Sequence, residues 1–208
     1  MVDDPRRLEW DERHQEGDFE GEGPNPALVA GVAGLSPGSA LELGAGSGTN
    51  AVWLARQGWR TTAVDWSPVG LANGRAKAKA AGVSVKWLER NLFDWTPAAR
   101  SFDLVVIVYL HLPPNERTRV YARAAAAVAP GGRLLIVGHD RLNATEGAGG
   151  PDPDRLFTAD EIAADLLAAD PSLEVERSEV VRRVPPPGRA PIDALLILLR
   201  PALKEQFQ

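Results

Sequence analysis

The sequence predicts an α/β fold in which a doubly wound, mostly parallel sheet carries helices on both faces. Three observations predict it. Strand-like and helix-like patterns alternate along most of the 208 residues, as they do in successive βα units around a parallel sheet. A short apolar strand ending Leu41-Glu42-Leu43 runs straight into Gly44-Ala45-Gly46-Ser47-Gly48, and helix-forming sequence follows at once. A second run, Thr61 to Val64, ends in a carboxylate at Asp65, which completes a nucleotide-binding βαβ unit.

Each element has its own signal. Strands are expected at Ala40–Leu43, Arg60–Asp65, Val83–Glu89, Asp103–Tyr109 and Arg133–Gly138, and helices near Thr49–Gln57, Pro68–Ala81 and Asn115–Val128. Ser67-Pro68 is a helix start, a capping hydroxyl followed by proline at the first helical position. Thr158-Ala159-Asp160-Glu161 is a capping box that opens a helix to about Ala169. Two further strand-like runs, Leu173–Val184 and Ile192–Leu199, flank Pro185-Pro186-Pro187-Gly188, which allows a hairpin with a longer loop. Before the first strand, Gly21-Glu22-Gly23-Pro24-Asn25-Pro26 reads as a rigid turn leading into a short helix. The stretch Arg141 to Pro153, rich in Gly, Asn, Pro and Asp, is either an active-site loop or a disordered surface connection. One domain is expected over 1–208, with 1–34 as an N-terminal cap segment and 35–208 as the core.

Composition narrows the function classes. The net charge is −5, with no basic block or stripe, so nucleic acid is a poor partner. The absence of cysteine removes disulfides, thiolate metal sites and a cysteine nucleophile; no metal site is expected. The N-terminus has no apolar stretch behind its charges, and the longest apolar run, Ala194 to Leu199, is far too short to span a bilayer. The expectation is a soluble cytoplasmic protein without membrane partners, a monomer or homodimer.

The glycine spacing limits the ligand. The dinucleotide fingerprint is G-x-G-x-x-G; here glycines stand at 44, 46 and 48, and Thr49 takes the place of the third motif glycine. There is no phosphate-cradling P-loop. Asp65, at the end of the second strand, is placed to accept hydrogen bonds from ribose hydroxyls. The ligand is read as a nucleoside with no required pyrophosphate.

The segment from Leu41 to Ala78 resembles motif I and its sequel in class I S-adenosylmethionine-dependent methyltransferases, most of all the small bacterial enzymes of the tellurite-resistance and thiopurine type. The resemblance spans roughly residues 10 to 200. Asn91-Leu92-Phe93-Asp94-Trp95, Phe102-Asp103-Leu104-Val105-Val106 and Ala129-Pro130-Gly131-Gly132-Arg133 agree with it, in the family's order. It implies a seven-stranded Rossmann-like sheet of order 3-2-1-4-5-7-6 with strand 7 antiparallel, and S-adenosyl-L-methionine as cofactor. It also implies a cofactor site. Gly44, Ala45 and Gly46 would approach the methionine and ribose parts, and Glu42 would order that turn or the methionine amino group. Asp65 would hold both ribose hydroxyls and Trp66 would lie against the adenine. Asn91, in a slot usually filled by aspartate, would accept from the adenine amino group, and the Leu92 N–H would reach a ring nitrogen. Asn25 would close over the cofactor, and Tyr109 would contact it.

In the implied order the sheet reverses between strands one and four, where open α/β sheets bind ligands. If the strand stays extended, alternation puts Tyr109 and His111 on one face, near the methyl-transfer position. His139 ends strand five; a histidine near its ordinary pKa accepts a proton at neutral pH, so His139 is the first candidate base, with His111 second and Tyr109 a third catalytic candidate. His14 reads as a solvated helix residue. The function expected is methyl transfer to an O, S, N or chalcogen nucleophile of a small molecule by in-line displacement. The alternatives are a non-catalytic protein that binds the cofactor or its demethylated product, and an NAD-dependent oxidoreductase.

Overall fold

The computed structural model of the chain describes residues 4–17, 23–183 and 190–202. Gly21, Glu22 and the proline-rich 185–188 loop lie outside them. The chain forms a seven-stranded sheet of order β3-β2-β1-β4-β5-β7-β6, with β7 antiparallel to both its neighbours. Its contacts divide into two compact units, Met1–Thr96 and Pro97–Gln208.

The first unit holds α1 (Pro5–Glu16), α2 (Pro26–Gly31), β1 (Ser39–Leu43), α3 (Thr49–Arg56), β2 (Arg60–Asp65), α4 (Pro68–Ala80) and β3 (Lys86–Glu89). β1, β2 and β3 pair in parallel. Ser67 caps α4 as its sequence promises: the hydroxyl accepts from the Gly70 amide at 3.0 Å, and Pro68 opens the helix. The third strand is shorter than the expected Val83–Glu89. Its first residues still close α4, with the Val83 amide bonded to the Ala78 carbonyl at 3.0 Å. Helix α1 gives bounds to the helix on which the sequence places His14. It is polar, and Asp4 starts it by accepting from the Arg6 amide at 2.9 Å.

The second unit holds β4 (Phe102–Val108), α5 (Pro114–Ala127), β5 (Val128–His139), α6 (Ala159–Ala169), β6 (Glu174–Arg182) and β7 (Ile192–Leu199). Its core is Leu104–Ile107, Leu134–Val137 and Ala194–Leu198, all buried, as expected of strands covered on both faces. β5 starts at Val128 rather than at the expected Arg133, because the register shift between Phe102 and Leu104 lets Pro130-Gly131-Gly132 stay in the strand. There Gly131 donates to the Arg200 carbonyl at 2.7 Å, and Arg200 donates back to Gly132 at 2.9 Å. β4 ends one residue early because Tyr109 takes φ +55°. The capping box of α6 forms in both directions, Glu161 N–H to Thr158 Oγ1 at 3.1 Å and Thr158 N–H to Glu161 Oε2 at 3.0 Å. Within the stretch 141–155 two 3-10 turns form, Arg141–Ala144 and Pro153–Arg155. Asn143 ties the first to β7: its amide group donates to the Ile192 carbonyl, and its carbonyl oxygen accepts from the Ile192 amide at 3.0 Å. The start of the Arg141–Pro153 stretch is thus anchored to β7.

Candidate active site

In the first unit the glycine turn is built on β2. The Gly44 and Ala45 amides both donate to the Val64 carbonyl, at 2.9 and 3.0 Å, and Gly48 closes the turn onto Ala45 at 2.8 Å. Gly44, Gly46 and Gly48 all have positive φ, which a side chain would strain. Gly48 has a second requirement, since a Cβ there would run into the Trp87 ring. Asp65 is buried, and its two oxygens are divided. Oδ2 accepts the Gly46 amide and Oδ1 the Ser67 amide, each at 2.8 Å. A carboxylate oxygen has room for two donors. Asp65 thereby ties the glycine turn to the start of α4.

The neighbours of this turn include residues that motif reading missed. Asn50 is the pivot: its amide donates to Glu42 Oε1 at 3.0 Å while its carbonyl oxygen accepts the Asn25 amide at 2.9 Å. Glu42 and the N-terminal segment are thus joined through one side chain. Asn25 itself caps α2, with its carbonyl oxygen accepting from Ala27 and Leu28 at 2.9 and 3.2 Å. Lys77 of α4 donates to Ser47 Oγ at 2.7 Å and Thr49 Oγ1 at 2.9 Å. The threonine in the third-glycine slot is therefore a hydrogen-bonded feature of this turn. Ser47 and Thr49, 30 and 28 residues from Lys77, carry no signal until the fold juxtaposes them with it.

On the adenine side expected from the sequence, Trp66 meets Phe93 edge-on at 6.0 Å, and the Arg6 guanidinium lies over both rings at 5.7 and 4.9 Å. Asn91 Oδ1 accepts from the Phe93 amide at 2.9 Å, and the Asn91 carbonyl takes Trp95 at 2.9 Å. This is a local turn that places Leu92 at its tip. Helix α1 is held against α4. Ser67 Oγ donates to Asp11 Oδ1 at 2.5 Å, Arg7 pairs with Asp11 at 2.7 Å, and Asn73 donates to the His14 carbonyl at 2.9 Å. His14 is buried, packed where a Cβ on Gly70 would touch its ring. The reading of a solvated His14 is corrected: a polar helix still buries the face that meets α4.

In the second unit Tyr109, His111 and His139 come together as stacked rings. Their centroids are 5.0 Å (Tyr109–His139), 5.1 Å (His111–His139) and 6.0 Å (Tyr109–His111) apart. Strand extension does not bring them there, as alternation had suggested. Tyr109 leaves the strand in the left-handed region, its amide on the Val137 carbonyl at 2.8 Å. Tyr121 fixes the following loop by donating to the Leu110 carbonyl at 2.9 Å. His111 Nε2 accepts the His139 amide at 2.9 Å, so that nitrogen is already engaged. Burial, with the nearby His139, pushes the His111 pKa down to about 3. His139 Nδ1 stands 3.6 Å from Asp193 Oδ1; burial lowers its pKa, Asp193 opposes that, and Arg183 adds to it. Asp193, which the motifs did not mark, gathers the cluster. It accepts the Tyr109 hydroxyl at 2.9 Å and the Arg183 guanidinium at 2.8 and 2.9 Å, and Arg183 lies 5.2 Å from the Tyr109 ring.

Residues 40–132 match the methyltransferase domain family. That match takes in a little under half of the chain. The family and its fold imply S-adenosyl-L-methionine as the cofactor. A ubiquinone biosynthesis O-methyltransferase of Methylobacterium sp. (strain 4-46) is 29% identical over 155 residues, 68% of this chain and 59% of that protein. A ribosomal protein L11 methyltransferase of Thermus thermophilus is 36% identical over 113 residues, 54% of this chain and 43% of that one. The domain thus spans about half the length of these curated relatives. The solved structure from work on the conversion of a disulfide bond into a thioacetal group during echinomycin biosynthesis superposes with a TM-score of 0.67. It is 25% identical and covers 88% of this chain and 84% of that one. Among the described residues, no helix is long and apolar enough to cross a membrane.

Proposed function

We propose that the two units act as one methyltransferase domain over 1–208, transferring a methyl group from S-adenosylmethionine to a nucleophile on a small molecule. The observation that carries this reading is Asp65, a buried carboxylate that joins the glycine turn to the start of α4 with one amide on each oxygen. Gly44, Ala45, Gly46, Asp65, Trp66, Asn91 and Leu92 would hold the cofactor, with Glu42 and Asn25 ordering the turn through Asn50. The bound cofactor supplies a methyl group on a sulfonium leaving group. The chain's own part is to hold the nucleophile in line at near-attack distance, a positioning effect of roughly 7–11 kcal/mol in favourable cases. His139 is preferred to His111 as proton acceptor, since the fold has already spent His111 Nε2 on a backbone amide. Tyr109 and Asp193 orient the cluster around it. Small-molecule acceptors are favoured by the acidic net charge of −5 and by the ubiquinone and echinomycin chemistry named for two of the relatives. The same charge speaks against nucleic acid as the acceptor.

Calorimetry separates the readings. S-adenosylmethionine and its demethylated product should bind and NAD should not; the reverse would sink the proposal. Asp65→Ala should weaken cofactor binding by about 1–3 kcal/mol, the scale of hydrogen bonds to a charged acceptor, and unchanged affinity would show Asp65 to be misassigned. A panel of phenols, thiols, amines and chalcogen oxyanions with labelled methyl donor then tests turnover. Cofactor binding without label transfer to any of them would favour a binding protein.

A further inference from the structure

One buried cation in the second unit has no hydrogen-bond partner among the described residues. Arg117 of α5 is 6% exposed, and none of its side-chain nitrogens donates to a protein acceptor; Nε and Nη1 are sealed from solvent. Among the described residues it forms no ion pair. Its guanidinium lies 5.2 Å from the Phe157 ring, and Phe157 in turn stands 6.0 Å from His111. Two acids of the neighbouring elements, Asp140 and Glu161, do not hydrogen-bond to it, although Glu161 feels its charge and Asp140 Oδ2 is itself buried without a hydrogen-bond partner. Asp140 Oδ1 accepts the Leu142 amide at 2.9 Å, and Glu161 pairs with Arg141 at 2.7 Å while closing the capping box. Arg155, the other cation bearing on His111, lies 3.8 Å from Asp152.

A buried charge without a hydrogen-bonded counter-ion is costly, and folds rarely keep one. A cation–π contact offsets part of that cost but leaves the five-donor fork unsatisfied. We infer that Arg117 is a binding site for a carboxylate on the methyl acceptor, beside the Tyr109–His111–His139 cluster. A single guanidinium balances one negative charge and pairs with two oxygens side by side, which suits a carboxylate better than a phosphate dianion. The apolar Phe157 face beside it suits a carboxylate carried on a planar, aromatic body. This inference rests on the reading of the second unit as the acceptor side.

The test uses the full chain without cofactor, titrated by calorimetry and thermal shift with benzoate, benzamide and phenyl phosphate. Benzoate should bind and raise the melting temperature, with benzamide weaker by about tenfold or more, since it lacks the charge. Arg117→Met should abolish benzoate binding without lowering the melting temperature, because an apolar side chain replaces a charge without a hydrogen-bonded counter-ion. Arg117→Lys, which keeps the charge and loses the fork, should bind benzoate more weakly while remaining folded. The inference is overturned by no benzoate binding, by equal binding of benzamide, by preference for phenyl phosphate, or by benzoate binding that survives Arg117→Met. It is also overturned if Arg117→Met loses stability while Arg117→Lys binds benzoate like the parent, since Arg117 would then be structural. S-adenosylhomocysteine titrated into the unaltered protein tests the methyltransferase reading by itself, so the two can fail separately.

Discussion

His111 shows what the fold does to a single side chain. The unfolded chain titrates it near the ordinary 6.5, whereas burial holds it at about 3 in the folded protein. Between those values the unfolded state binds a proton that the native state refuses, so stability falls as the pH drops through that window. Chemical denaturation at a series of pH values should show this loss, with a slope of at most about 1.4 kcal/mol per pH unit from this residue. His111→Gln should flatten the slope; an unchanged slope would mean that other groups carry it. Single residues were also where the sequence was least legible. Tyr109 was marked as a site residue for its place at the end of an apolar run, but its left-handed backbone has no local signature. Asn50, Lys77 and Arg117 looked like ordinary polar positions of helices. Their meaning lies in hydrogen-bond partners 25 to 30 residues away for Asn50 and Lys77, and in the lack of one among the described residues for Arg117.

Elements were legible where local chemistry decides them. Ser67-Pro68 and the Thr158/Glu161 box started their helices as expected, because a cap depends only on residues within one turn. Boundaries set by tertiary pairing were not: β3 loses its first residues to the closing turn of α4, and β5 gains Val128 to Gly132 through pairing with β4 and contact with Arg200. The extent of helix α1 was not legible because its twelve residues are mostly charged, and an amphipathic stripe is the signal that sets such bounds. The start of α3 gives an element-scale prediction. Gly48 is its N-cap in the left-handed region, and a Cβ would also meet Trp87. Gly48→Ala should destabilise by more than about 1 kcal/mol, since the left-handed backbone alone costs a side chain about 1–2 kcal/mol. Urea denaturation checks it, and a variant as stable as the parent would mean that the turn can relax.

For the whole molecule, alternating periods announced an α/β protein, but they did not order the strands. The order 3-2-1-4-5-7-6 came with the family resemblance, because strand adjacency is a long-range fact that local pattern does not encode. The whole chain should nonetheless report on its ligand. S-adenosylhomocysteine at a hundredfold above its dissociation constant should add about 2.7 kcal/mol of stability. For a chain of this size that is a rise of several degrees in melting temperature, at roughly 2–4 °C per kcal/mol. Thermal shift would read it, and no rise at saturation would contradict binding to the native state. The Ser67 hydroxyl carries a consequence of another kind. It gives its proton to Asp11 of the first helix and accepts the Gly70 amide of the fourth. During synthesis α1 therefore leaves the ribosome more than fifty residues ahead of its dock. At twelve residues it is too short to hold as a free helix in water. Helix α1 is thus fixed later than it is made, settling only once α4 exists to receive it.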